Sequence, residues 1–270
     1  MDLNILKDTP PWDWPEDTAE MLMEILRDRR RAASDRVIAA NLAGDYTVAS
    51  DQMADVLLSI VRDAGEPERL RARAAISLGP MLEGADTEGF DDDFSEPPIS
   101  ERVFHEIQET LQRIYLDEGE PKEVRRRILE ASVRAAQDWH SDAIRAAASS
   151  DDEDWKLTAT FAMQWVEGFD EQILEMLRSR NPDIHYEAVC AAGEQEVDAA
   201  WPHIAALINS MKTEKRLLLA AIVAAGNIRP REAKARLTEL ADSEDEDIAE
   251  AADEALLMAE PPFDPDDEEI

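Results

Sequence analysis

The chain has 270 residues and sets 62 acidic against 28 basic side chains, for a formal charge of −34. That balance excludes a generic binder of nucleic-acid backbones or anionic membrane surfaces, because both draw affinity from Lys and Arg. Forty-one Ala beside only nine Gly, three Tyr and six Phe favours helices and starves strands of aromatics, so an all-α fold is expected.

Residues 1–15 (MDLNILKDTPPWDWP) lack the basic start and apolar run of a secretory signal. No window approaches the ~20 apolar residues of a membrane span, and a cytoplasmic location is expected. Residues 1–16 read as an N-terminal cap segment. Within it PPWDWP cannot continue a helix, and Trp12 and Trp14 either cover the exposed edge of the first helix pair or dock a partner.

From residue 17 to residue 260 the chain repeats. The clearest internal match sets PDIHYEAVCAAGEQ (182–195) against EKRLLLAAIVAAGNI (214–228), with Gly193 and Gly226 superposed at a separation of 33. The first apolar residue of each such run gives the anchors Val37, Leu70, Val124, Trp155, Ile184, Leu217 and Ile248, at steps of 33, 54, 31, 29, 33 and 31. Four residues beyond each anchor come Asn41, Ala74, Ile128, Ala159, Ala188, Ala221 and Ala252, a mostly small stripe that lets neighbouring helices approach closely. Between these inner helices lie bulkier stripes: Met53, Val56, Leu57, Ile60 and Val61, then Val103, Ile107, Leu111 and Ile114. Later stripes are Ile173, Leu174 and Leu177, then Ile204, Leu207 and Ile208, then Leu237 and Leu240. Pro67, Pro121 and Pro182 fall at helix starts, where the missing N–H costs nothing. Helix pairs at this period predict a right-handed α-solenoid of about seven pairs.

The long step of 54 carries an insertion. Residues 84–98 (GADTEGFDDDFSEPP) hold six acids and no base, and read as an acidic loop. Asp91, Asp93 and Ser95 alternate as in a calcium loop, but the sixth position is Glu96 and the twelfth is Arg102, so that reading fails. Residues 261–270 read as an acidic disordered tail.

The motifs EPERLRARAAISLG (66–79), EPKEVRRRILEAS (120–132) and NPDIHYEAVCAAGE (181–194) resemble HEAT-type repeats, particularly the short bacterial kind also seen in phycobilin lyases. The Arg that follows the family's anchor is present at Arg71 and Arg125, replaced at Lys156 and His185, and lost at Leu218 and Ala249. The resemblance implies a stacked helical scaffold, but that scaffold hosts adaptors, lyases, hydroxylases and glycosylases alike.

Catalytic chemistry is sparse. Cys190 and His185 point to different sides of one helix, so the lone thiol reads as a packing residue. His105-Glu106 is the single His-Glu pair, too few for the di-iron site of the resembling hydroxylases. No phosphate loop, second Cys or other cofactor or metal motif appears. The expected function is therefore a non-enzymatic scaffold or adaptor that binds another protein with a basic surface. The alternatives are an accessory subunit of a lyase or other modifying enzyme, and a chaperone that sequesters a basic protein. Candidate contacts lie two and six residues beyond the anchors: Arg126 and Glu130, Leu157 and Phe161, Tyr186 and Cys190, Leu219 and Val223. Either these form a groove with an aromatic anchor, or adjacent repeats bury them.

Overall fold

The computed structural model describes residues 3–90 and 96–258. Among the described residues every regular element is helical, and no helix is long and apolar enough to cross a membrane. The chain divides into two compact units, residues 1–143 and 144–270.

The first unit runs α1 (Leu3–Lys7), α2 (Thr18–Arg27), α3 (Ala33–Leu42), α4 (Asp51–Arg62), α5 (Glu68–Ile76), α6 (Gly79–Glu88), α7 (Glu101–Leu116) and α8 (Lys122–Ser132). The division falls within α9 (Asp138–Ala148). The second unit continues with α10 (Glu153–Ala162), α11 (Asp170–Met176), α12 (Pro182–Glu194), α13 (Trp201–Asn209), α14 (Lys215–Ile228), α15 (Pro230–Ala241) and α16 (Glu246–Met258). Local chemistry sets the ends of these helices. Ser50 and Ser100 accept from the N–H three residues on and cap α4 and α7, and Asn181 caps α12. Two turns reuse one device: Asp63 accepts from the Gly65 N–H at 2.8 Å and Asp117 from that of Gly119 at 2.9 Å, each just before the Glu-Pro that opens the next helix.

Inner helices pack on inner helices: α3, α5 and α8 in the first unit, and α10, α12, α14 and α16 in the second. The expected seam holds from the second repeat onward, since Ala74, Ile128, Ala159, Ala188, Ala221 and Ala252 are all fully buried. In the first repeat it does not. Asn41 is exposed, whereas Ala39 and Ala43 are fully buried, so the register starts at Asp35 and not at Val37. This correction brings out a row of glycines nine residues beyond the anchors: Gly44, Gly79, Gly193 and Gly226. Each faces the next inner helix at close range. A methyl group on Gly193 would lie 2.8 Å from the Ala224 Cα, and one on Gly226 would lie 3.0 Å from the Ala255 Cβ. At Gly193 space requires the glycine, because backbone of α14 stands where a Cβ would be, whereas at Gly79 the nearest atom belongs to the flexible Arg134 side chain.

The corrected register also reveals a third arginine. Arg36, Arg71 and Arg125 each donate through Nε to the carbonyl ten residues earlier (Leu26, Val61 and Tyr115), at 3.0, 3.0 and 2.8 Å. Each of those carbonyls is the penultimate one of its outer helix, which the helix itself leaves without a partner. Arg36 then pairs with Glu66 at 2.6 Å, both buried, and Arg71 pairs with Glu120 at 2.7 Å. One guanidinium thus ties an outer helix, an inner helix and the turn of the following repeat.

Two expectations about irregular segments change. The acidic loop expected over 84–98 is helical as far as Glu88, because α6 continues to Gly89, whose φ of 69° ends it. The long step therefore holds an extra helix, α6, which packs on α7 and α8. Residues 91–95 and the expected acidic tail 261–270 lie outside the described residues. At the N-terminus Trp12 is 79% exposed and covers nothing. Among the described residues of this segment the buried ones are Leu3 and Leu6 of α1, which lies against α3. Trp14 fastens the segment by donating from Nε1 to the carbonyls of Leu6 and Thr9, at 3.1 and 2.9 Å.

Candidate functional site

Because the Ala seam of α12, α14 and α16 is buried, the positions two and six beyond each anchor turn outward in this unit. Tyr186 and Cys190 of α12 and Leu219 and Val223 of α14 line one groove of about 380 Å³, continued by Ala220, Ala224 and Ala251. Val223 is 41% exposed. The Arg216 guanidinium lies 3.8 Å from the centre of the Tyr186 ring and is held by Asp183 at 3.1 Å, so one face of the aromatic anchor is already covered.

Cys190 is chemically quiet. Burial, with the Glu187 carboxylate adding to it, pushes its thiol up to about 11, so it stays protonated at neutral pH. Burial first, then the neighbouring Cys190, also raises the Tyr186 phenol. Neither group is poised for nucleophilic or acid–base work.

Acidic side chains form the rim. Asp247 is satisfied by Lys215 at 2.6 Å. Glu194, Glu250 and Glu254 also line the groove, are exposed, and have no cationic partner among the described residues. The groove therefore joins an apolar floor to a rim of uncompensated negative charge.

The remaining candidates are distributed differently. Arg126 and Glu130 are buried, the second of the two alternatives for this row, and offer no contact surface. Arg126 Nη1 lies 2.8 Å from Glu123, and Arg127 bridges Glu123 at 2.8 Å and Glu130 at 2.5 Å, so these charges serve the packing of α8. Leu157 and Phe161 of α10 are half-buried, and the Phe161 ring lies 6.5 Å from that of Trp165. Trp12 and Trp14 belong to the N-terminal segment of the other unit. His105 is exposed, with Gln108 at 3.3 Å and Glu101 at 3.8 Å. Among the described residues no three His, Cys, Asp or Glu side chains are grouped to hold a metal ion.

A larger recess of about 960 Å³ in the first unit mixes Arg27, Arg30 and Arg31 with Glu24, Asp28 and Asp35. Its three bases and three acids balance in number, Arg30 pairs with Asp28 at 3.5 Å, and Asp28, which also accepts from the Arg30 backbone N–H at 3.0 Å, sits below the usual carboxylate range. It lacks the uncompensated sign of the α12–α14–α16 groove. Sequence spacing named four residues of that groove; of its rim, Glu250 and Glu254 stand two and six residues beyond the anchor Ile248, in the same row, while Glu194 ends α12 and lies off it.

No family model matches the sequence, and no curated protein matches it. Among solved structures the chain is similar to YibA of Escherichia coli, at 17% identity and a TM-score of 0.47, covering 92% of this chain and 84% of that one. It is similar to human deoxyhypusine hydroxylase in complex with glycerol, at 17% identity and a TM-score of 0.41, covering 92% and 86%. An engineered protein matches at 16% identity and a TM-score of 0.37, covering 91% and 97%. Likeness at this level says nothing of activity.

Proposed function

We propose that this protein is a binding scaffold whose α12–α14–α16 groove receives a basic, amphipathic segment of a partner protein. One observation carries the reading: Glu194, Glu250 and Glu254 stand without counter-charges around the apolar floor formed by Tyr186, Leu219 and Val223. The helices that bear the floor are already packed, so binding orders little of the scaffold itself. The net charge of −34 adds a long-range field that speeds encounter with a cationic chain and repels an anionic one.

The test uses the full chain and a fluorescent amphipathic helical peptide with Leu on one face and Lys and Arg on the other. Binding is read by anisotropy at about 0.1 M and about 1 M salt, where screening lengths are about 10 and 3 Å. Saturable binding that weakens at high salt is expected, with losses on Val223→Glu and on Glu250→Lys/Glu254→Lys. Equal binding of a Glu-for-Lys peptide, or indifference to both variants, would sink the reading.

A further inference from the structure

In a chain with 62 acids against 28 bases, one recess of the first unit collects guanidinium groups. Arg69 and Arg73 stand four residues apart and so share a face of α5. Arg127 holds in α8 the position that Arg73 holds in α5, three residues beyond the anchors Val124 and Leu70. All three line a recess of about 390 Å³, with Ala72 and Ile76 as its apolar wall. Glu123, also in the lining, is engaged by Arg126 and Arg127, each at 2.8 Å, and Arg127 reaches Glu130 at 2.5 Å. Those two bases and two acids cancel. Arg73 is left with a neutral partner, the Asn41 amide oxygen at 3.0 Å. The Arg69 side chain has no hydrogen bond or ion pair among the described residues. Desolvation first, then the like charges of Arg127 and Arg69, hold the Arg73 guanidinium below its ordinary range, and the Glu123 and Glu130 carboxylates do not offset them.

We propose that this recess binds the phosphoryl group of a phosphate monoester, held between Arg69 and Arg73 of α5 and Arg127 of α8. Charge and donor count select the class. Two guanidiniums without a carboxylate match a group that carries about −1.5 to −2 at neutral pH. A carboxylate brings one charge and two oxygens, which a single guanidinium fork satisfies. A phosphate monoester brings three acceptor oxygens, enough for forks arriving from two helices. Ala72 and Ile76 lower the local dielectric, which strengthens these pairs. Glu68 lines the same recess without a cationic partner among the described residues, so it opposes the anion. The acidic groove of the other unit and its peptide are not involved, so the two proposals stand or fall separately.

The probe is a fluorescent peptide of Gly, Ala and Ser with one phosphoserine, added to the full chain and read by anisotropy. Saturable binding is expected, with inorganic phosphate competing. The same peptide with Ser or Glu in place of phosphoserine should bind about tenfold or more weakly. Affinity should fall about tenfold in Arg69→Gln and in Arg73→Gln, and rise a few-fold in Glu68→Gln. Glycerol phosphate that competes as tightly as the unlabelled phosphopeptide assigns the recess to small esters, and weaker competition assigns it to a phosphorylated protein. Absence of saturable binding, a Glu peptide that binds equally well, or indifference to Arg69→Gln overturns the proposal. Should Arg73→Gln disturb the fold by circular dichroism, Arg69→Gln decides, because its side chain makes no contact of this kind to lose.

Discussion

Replacing Gly193 by Ala tests the stacking of the inner helices at its tightest point. In a helix with free space this change stabilises, by up to about 1 kcal/mol, because Ala is the better helix former. Here the new methyl would lie 2.8 Å from the Ala224 Cα and 2.9 Å from its Cβ, against ordinary contact near 3.5–4.0 Å. The obstructing atoms include backbone, so no rotamer change relieves them and α12 must part from α14. Overpacking of this kind costs about 1–3 kcal/mol, which exceeds the propensity gain, and a net loss of about 1–2 kcal/mol is expected. Gly226→Ala should cost less, since its nearest neighbour is the Ala255 Cβ at 3.0 Å on the last described helix. Urea unfolding followed by far-ultraviolet circular dichroism ranks the variants. Ala224→Gly alone should cost about 1 kcal/mol as a helix-interior glycine, and less than that in the Gly193→Ala background, because there it also removes the 2.9 Å contact. Stabilisation by Gly193→Ala alone would show that the helices do not meet there, and would refute the argument from close approach.

Other perturbations probe the seam, the arginine ties and the buried histidine. Ala221→Asp places an unpaired carboxylate at a fully buried position and should destabilise by about 3 kcal/mol or more in thermal or urea melts. Glu66→Ala strands the buried Arg36 guanidinium and should cost about 3–5 kcal/mol, whereas Arg29→Ala, at an exposed ion pair with the same carboxylate, should cost under about 1 kcal/mol. His140 is fully buried, and its Nδ1 accepts from the Gln137 N–H at 2.8 Å while Nε2 faces the Ser132 hydroxyl at 2.9 Å. Burial lowers its proton affinity to about 4. Unfolded chains take up this proton near 6.5 and the native state refuses it until about 4. Stability therefore falls as pH drops through that window, by up to roughly 3 kcal/mol. Denaturant melts of His140→Gln should show a shallower loss between pH 6.5 and 4, and an identical slope would refute the assignment.

The sequence carried the helical period and the punctuation. The Ala-Ala-Gly match of Gly193 with Gly226 announced a packing contact that recurs at the same height in successive repeats. Pro67, Pro121 and Pro182 opened α5, α8 and α12 as turn chemistry requires. The first repeat misled because its anchor position is Asp35, so a search for the first apolar residue slipped to Val37 and hid Arg36 and Gly44. Helical spacing likewise placed Arg126, Glu130, Tyr186 and Leu219 on equivalent positions. It had no means of distinguishing the buried pair from the pair that lines a groove.

Amphipathic period, caps and small-residue stripes act within a helix or between adjacent helices, and a single chain records them as spacing. They were sufficient to set helix type, helix order and the close-packed face. Burial of Arg126 and Glu130, exposure of Val223, and the meeting of His185 with His203 depend on how far each neighbouring helix extends and what it leaves uncovered. Those distances are properties of the packed stack, and only the tertiary structure decides them.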